Sequence, residues 1–216
     1  MQSNLYVTGT DTDIGKTWVA VRLIQALRDT GKKVQGMKPV ASGCDDNGNN
    51  DDALQLRYVS TNANTPYNHV NPFAFKDAIA PEYAAKNEAR EVTLDDILRA
   101  HAELAKDNDV VVIEGAGGWL SPINEELDQA DVARALNAEA ILVVGMRLGA
   151  IHQARAAAQA IESSGVQIKA WIANETEQGD PQFDENVATI QRYINAPLWA
   201  KIHRNEDVPY WLFDQT

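Results

Sequence analysis

The segment Gly9-Thr10-Asp11-Thr12-Asp13-Ile14-Gly15-Lys16-Thr17 lies between an apolar run and an amphipathic stretch. In that setting a glycine-bearing loop turns its backbone N–H groups toward a phosphate, with the following helix N-terminus behind them. Lys16 then reaches the outer phosphates, and the Thr17 hydroxyl is a ligand for Mg²⁺. Five residues separate Gly9 from Gly15-Lys16, and Thr10 stands where the commonest phosphate loop has Gly. A hard divalent cation takes oxygen ligands, usually including one or two carboxylates. Glu114, directly after the run Val110 to Ile113 and before Gly-Ala-Gly-Gly, occupies the place of such a carboxylate. Asp51 and Asp52 open a short helical stretch through Ala53, Leu54 and Leu56, where Asp51 is expected only to cap. Lys38 is a cation at the end of a strand and just before Pro39, an unusual position for a surface ion pair.

Five apolar runs of strand length supply the elements that must carry these groups: Leu5 to Val7, Val34 to Met37, Val110 to Ile113, Ile141 to Val144 and Ala170 to Ala173. The third and fourth do not alternate with polar residues, as expected of parallel strands buried on both faces. Helical periodicity falls between the runs. Val19, Ala20, Leu23, Ile24 and Leu27 form one stripe that Gly31 can terminate. Thr93 and Asp96 read as a capping box ahead of Leu94, Ile97, Leu98 and Leu104. Further helices are expected from about Gly149 to Ser163 and from about Pro181 to Tyr193, and Cys44 to Asn50 is expected to be a loose stretch. The alternation predicts an α/β fold, a single-domain parallel sheet (1–216) with helices on both faces. Its C-terminal edge gathers Thr8-Gly9, Lys38, Glu114, Gly145 and Asn174, where open α/β sheets bind ligands.

Composition narrows the partners. The chain has 216 residues, with 19 Lys+Arg against 31 Asp+Glu and a formal charge of −12. That balance argues against duplex DNA, an RNA backbone or an anionic membrane as the main partner, so a phosphate site must be local. A single Cys44 implies no disulfide framework and a reducing compartment. The N-terminus has neither a basic n-region nor an apolar core of signal-peptide length, so a cytoplasmic location is expected. His69, His101 and His203 show no metal-ligand spacing with one another or with Cys44, and no zinc site is expected.

Taken together, Thr8 through Thr17, Lys38-Pro39-Val40-Ala41-Ser42-Gly43, Glu114-Gly115-Ala116-Gly117-Gly118-Trp119, Val144-Gly145 and Trp171-Ile172-Ala173-Asn174 closely resemble the dethiobiotin synthetase family, a branch of the P-loop NTPases. The resemblance implies an ATP- and Mg²⁺-dependent ligase of biotin biosynthesis that joins 7,8-diaminopelargonate and CO₂ into dethiobiotin, releasing ADP and phosphate. It gives Lys16 and Thr17 to the phosphates, Thr17, Asp52 and Glu114 to Mg²⁺, and a catalytic role to Lys38, with Thr12 and Ser42 beside the carbamate. Asp13, Gly15 and Trp18 would complete the nucleotide side, with Gly115, Ala116 and Gly117 opposite. Asn174 matches a base-contacting Asn, with Glu175 beside it. The family's second base contact comes from a loop of Gly-x-Ile-Pro type, against Ala200-Lys201-Ile202-His203 here. A homodimer is also implied, with the substrate tail near the interface; the segment beginning near Gly149, with Arg147 and His152, is the candidate anion site.

A reading from a different class is an ATP-driven switch of the partitioning or insertion type, on a similar sheet. Those loops open with Lys-Gly-Gly, where this chain has Thr10-Asp11-Thr12. Glutamine-dependent amide synthetases need a second domain with a nucleophilic Cys, for which Cys44 has no suitable context.

Overall fold

The computed structural model describes residues 2–176 and 181–204. In chain order the elements are β1 (Ser3–Gly9), α1 (Lys16–Asp29), β2 (Val34–Met37), β3 (Val40–Ala41), α2 (Asp51–Val59), α3 (Tyr67–Val70), β4 (Phe73–Ala74) and α4 (Pro81–Asn87). They continue with α5 (Leu94–Ala105), β5 (Val110–Glu114), α6 (Gln129–Ala135), β6 (Glu139–Met146), α7 (Ala150–Ser163), β7 (Ile168–Glu175), α8 (Phe183–Gln191) and β8 (Leu198–Ile202). Six strands form one parallel sheet in the order β2-β5-β1-β6-β7-β8. The chain leaves β1 toward one side and returns through β6 to the other, which opens a crevice at the C-terminal end of β1.

Side chains alternate across the central strands, so each strand feeds two cores. Leu5, Val7, Val110, Val112, Ile141 and Val143 pack with Val19, Leu23, Ile24 and Leu27 of α1 and Leu56 of α2. Tyr6, Val111, Ile113, Leu142 and Val144 face the opposite layer, built by α5, α6, α7 and α8. Covering both faces is why β5 and β6 read as unbroken apolar runs. Gly31 follows the end of α1 in the left-handed region, at φ 88°.

Several local expectations need correction. Asn50, not Asp51, caps α2: its side chain accepts the Ala53 N–H at 3.2 Å, and Asp51 is an exposed residue of the first turn. At α5 the Thr93 side chain accepts the Asp96 N–H, but Asp96 receives the Thr93 hydroxyl rather than its backbone N–H. The reciprocal capping box is at Asp128 and Asp131, opening α6. The stretch Cys44 to Asn50 is a tight turn rather than a loose one, because the Asp45 carboxylate accepts the N–H groups of Asn47 and Asn49 at 2.9 and 2.7 Å. Ala200 to Ile202 is not a loop but part of β8, paired with β7. No helix among the described residues is long and apolar enough to cross a membrane.

Candidate active site

The loop between β1 and α1 is anchored from below by Ile14. Its side chain is 1% exposed and fills space that a Cβ at Gly9 or at Gly145 would occupy, with added-atom distances of 2.6 and 2.5 Å. Two residues of the loop take left-handed backbone, Asp13 at φ 56° and Gly15 at φ 86°. Gly15 is required twice over, since a Cβ there would also meet Asn174 Nδ2 at 2.4 Å. Thr10, the departure from the commonest motif, uses its hydroxyl to accept the Gly145 N–H at 3.1 Å and so ties the loop to β6. The Asp11 carboxylate pairs with Arg147. Lys16 donates from Nζ to the Asp11 carbonyl at 2.7 Å, and burial lowers its pKa.

Beside this loop stands a compact charge cluster. Lys38 Nζ lies 2.7 Å from Glu114 Oε1 and 2.8 Å from Asp52 Oδ2. The Thr17 hydroxyl donates to the same Glu114 Oε1 at 2.9 Å. Lys38 is 5% exposed and Glu114 1%, so neither charge is dissolved in water. Burial opposes the Lys38 charge, but Glu114 and Asp52 outweigh it and hold its pKa above the ordinary value. Burial likewise opposes the Asp52 charge, yet Lys38, with help from Thr17 and Lys16, brings its pKa down. The backbone of Lys38 is fixed on both sides, its N–H donating to the Val70 carbonyl at 2.8 Å and its carbonyl accepting Asn71 Nδ2 at 2.7 Å.

Glu114 Oε2 is buried and has no hydrogen-bond partner. An orphaned carboxylate oxygen next to a threonine hydroxyl and a second carboxylate is a donor set that suits a hard divalent cation. Ser42 Oγ is a second buried orphan at the same edge.

A cleft of about 1020 Å³ brings together Thr12, Asp13, Gly15, Lys16, Thr17, Trp18, Lys38, Ser42, Asp52, Glu114, Ala116 and Gly117. An adjoining cleft of about 460 Å³ is lined by Asn174, Glu175, His203 and Arg204 and shares Asp13, Gly15 and Trp18 with the first. Gly115 lies under the wall rather than on it. Asn174 does not simply point outward, because it donates from Nδ2 to the Ile14 carbonyl at 2.7 Å. His203 packs against Phe183, with ring centroids 4.3 Å apart, and its Nδ1 is 3.6 Å from Glu175 Oε2. Arg147 and His152 line neither cleft: Arg147 is engaged by Asp11, and His152 is exposed on α7.

Residues that the sequence reading missed also line the larger cleft, namely Asn50, Ala78 to Pro81, Ser121 and Pro122. Asn50 had a legible signal, an Asn directly before an acidic first turn. The strip Ala78 to Pro81 had none, since it reaches the site only through the β3–β4 pairing and α4.

The sheet order, the loop entering α1 and the carboxylate ending β5 define a P-loop nucleotide-binding protein of the α/β class. A family model described as an AAA domain matches residues 3–209. Among solved structures of similar fold, a ParA family ATPase from Chlorobium tepidum TLS superposes with a TM-score of 0.59 at 14% identity, covering 96% of this chain and 87% of that one. The MinD cell division protein of Aquifex aeolicus gives 0.55 at 13%, covering 98% and 86%. At such identities these likenesses concern the fold alone. Sequence relatives are far nearer. A protein of Xanthomonas oryzae pv. oryzae (strain PXO99A), named ATP-dependent dethiobiotin synthetase BioD, is 44% identical over 200 residues, which is 91% of this chain and 89% of that protein. One of the same name from Xylella fastidiosa (strain 9a5c) is 42% identical over 203 residues, covering 93% and 89%. The chain belongs to the dethiobiotin synthetase family.

Proposed function

We propose that this chain forms dethiobiotin from 7,8-diaminopelargonate, CO₂ and ATP, releasing ADP and phosphate. The observation that carries the reading is the convergence of the buried Lys38 and Glu114 with the partly exposed Asp52 and Thr17 on the open end of the phosphate loop. One amine of the substrate adds to CO₂ and loses a proton to give a carbamate. A carbamate oxygen takes the γ-phosphoryl group, the bond to ADP breaks, and the second amine attacks the mixed anhydride and expels phosphate. The first transfer brings two anions together, so positive charge must stand where it develops. Lys16 and Lys38 are placed to supply it, with Thr12 and Ser42 beside the reacting oxygens. Thr17, Asp52 and Glu114 would hold Mg²⁺, which when bound adds charge neutralisation at the phosphates.

We place the phosphates along Asp13, Gly15, Lys16 and Thr17, with Ala116 and Gly117 on the far wall. Trp18, Asn174 and Glu175 face the base. Asp11, held by Arg147, keeps the loop against β6. The substrate is long and ends in a carboxylate, so its tail extends beyond this sheet edge. A homodimer with the start of α7 near the interface would accommodate it, and a cytoplasmic setting supplies ATP and bicarbonate. The switch ATPase reading is less favoured, because the loop opens with Thr10 and Asp11, tied internally to Gly145 and Arg147, where those proteins carry a lysine for a partner.

The decisive experiment incubates the purified protein with diaminopelargonate, bicarbonate, Mg²⁺ and ATP and detects dethiobiotin by mass. Formation of dethiobiotin with one ADP per product is expected. Hydrolysis of ATP at the same rate without diaminopelargonate, and no dethiobiotin, would overturn the reading.

A further inference from the structure

Behind the charge cluster, on the opposite face of the sheet, a buried pair of polar side chains meets the loop that follows Glu114. The Tyr6 hydroxyl of β1 donates to Gln129 Oε1 at 2.5 Å, and both residues are nearly inaccessible, at 0% and 3% exposure. The same Oε1 accepts the Ala116 N–H at 3.3 Å. Two donors on one oxygen fix the orientation of the amide, since the reversed amide would turn N–H groups against the Ala116 N–H. Gln129 is the first residue of α6, whose capping box sets where that helix begins, and its backbone N–H donates to the Ser121 carbonyl at 3.2 Å.

The loop is shaped to rest on this pair. A Cβ at Gly115 would meet Tyr6 Cε1 at 2.9 Å, Gln129 Oε1 at 3.1 Å and Tyr6 Oη at 3.1 Å, so glycine lets the backbone sit directly on the two side chains. The Gly115 N–H donates to the Val7 carbonyl at 3.0 Å, and the Gly118 N–H donates to Ser121 Oγ at 2.8 Å. Gly115, Ala116 and Gly118 are thereby tied to β1, to Gln129 and to Ser121 respectively. Trp119 closes the arrangement edge-on to Tyr6, with centroids 5.8 Å apart. A tyrosine needs its hydroxyl in a core only when something there requires it, and here that oxygen reaches the one residue that also holds Ala116.

We propose that Tyr6 and Gln129 are positioning residues that brace the Ala116–Gly117 wall from beneath, at Gly115 and Ala116, and through it fix Glu114 against Lys38 and the phosphate loop. Both are buried and line neither cleft. The inference rests on the dethiobiotin synthetase reading for its kinetic arm, and on geometry alone for its exchange arm.

Tyr6→Phe removes one oxygen, and Gln129→Met removes the shared acceptor while keeping an apolar chain of similar length. A displaced wall should cost about tenfold in kcat, because small misplacements near reacting atoms are expensive, while KM for ATP stays within about twofold. The double variant should be no slower than Gln129→Met, since both changes disable one brace. Amide exchange at Ala116 should accelerate in Gln129→Met with or without nucleotide. If kcat measured well below the melting temperature is unchanged in both single variants, or the two losses multiply in the double, the brace is only structural and the proposal fails. Unchanged Ala116 exchange overturns it independently of any activity, whereas a parent protein making no dethiobiotin overturns the reaction and not the brace.

Discussion

Lys38 Nζ sits 2.7 Å from Glu114 Oε1, on the oxygen that also accepts the Thr17 hydroxyl, while Oε2 of the same carboxylate has no partner. The lysine acts as an internal counterion for two carboxylates, one of them 1% exposed. Removing one partner of such a buried pair costs about 3 to 5 kcal/mol, mostly from the charge left behind. Lys38→Met should therefore lower stability in the absence of divalent cations by an amount in that range, and Mn²⁺ should restore part of it by binding the native state. Nucleotide-free Mn²⁺ affinity, read by electron paramagnetic resonance, should be tighter in Lys38→Met than in the parent. Equal or weaker binding would show that the lysine does not compete with a metal. ATP binding should persist and turnover should nearly vanish, because the Lys38 charge is needed where the carbamate meets the γ-phosphate.

Glu114→Gln tests the other side of the same contact. The amide keeps the shape of the side chain but loses the charge and one acceptor oxygen, so the Mg²⁺ concentration giving half-maximal rate should rise by about tenfold or more. An unchanged Mg²⁺ titration would reduce Glu114 to a structural partner of Lys38.

The Asp52 carboxylate predicts a pH dependence with a definite sign. Its pKa in the folded protein is lowered by Lys38, Thr17 and Lys16 despite burial. A carboxylate depressed on folding contributes stability above its unfolded value, about 3.9, and that contribution is lost as pH falls through the folded value. Melting curves of the parent and of Asp52→Asn should therefore lie furthest apart near neutral pH and converge once the pH has fallen through the lowered folded value. A gap that stays constant down to acid would mean that the charge of Asp52 adds nothing to the fold.

The parts of this architecture that follow from local pattern were legible in the sequence. Central strands buried on both faces leave unbroken apolar runs, and a loop that must admit phosphate leaves Gly15-Lys16-Thr17, so β2 and β5 match their apolar runs to within one residue, α1 is marked by its apolar stripe, and β1, β6 and β7 each extend two residues beyond their runs at either end. Lys38, Asp52 and Glu114 were named from position and resemblance, but their mutual contact depends on β2 and β5 pairing in register from Val34 with Val110 to Met37 with Ile113. No sequence spacing encodes that contact, because 76 residues separate the two chain positions. Edge and short elements fared worse. β8 alternates apolar residues with the exposed Lys201 at the rim of the sheet, and β3, β4, α3, α4 and α6 are too short to show a period. Nothing local marks Gln129 as buried, since only the pairing of Pro122 with Asp128 brings it beneath Gly115.

Reading of the nucleotide base turns on Asn174, and the structure alters how that residue should be tested. An Asn amide offers both donor and acceptor to a purine edge, but Nδ2 already donates to the Ile14 carbonyl at 2.7 Å, where it stands against Gly15. One N–H and the oxygen remain for a base. The neighbouring cleft adds Glu175, His203 and Arg204, and no proline fixes the backbone there: His203 directly follows β8, while the residues beyond Arg204 lie outside the described part of the chain. With few fixed partners for the base among the described residues, triphosphate and metal contacts should dominate affinity, and CTP or GTP should support measurable turnover. Asn174→Ala should then do two separable things. It should raise KM for every nucleotide by a similar factor, because the tie to the phosphate loop is lost, and it should flatten whatever preference for ATP exists, because the remaining base contact goes with it. Comparing kcat/KM for ATP, GTP, CTP and UTP in both proteins separates the two effects. A parent strictly dependent on ATP would show that adenine is held by contacts other than Asn174. Loss of ATP preference without a uniform rise in KM would show that the tie to Ile14 does not shape the loop.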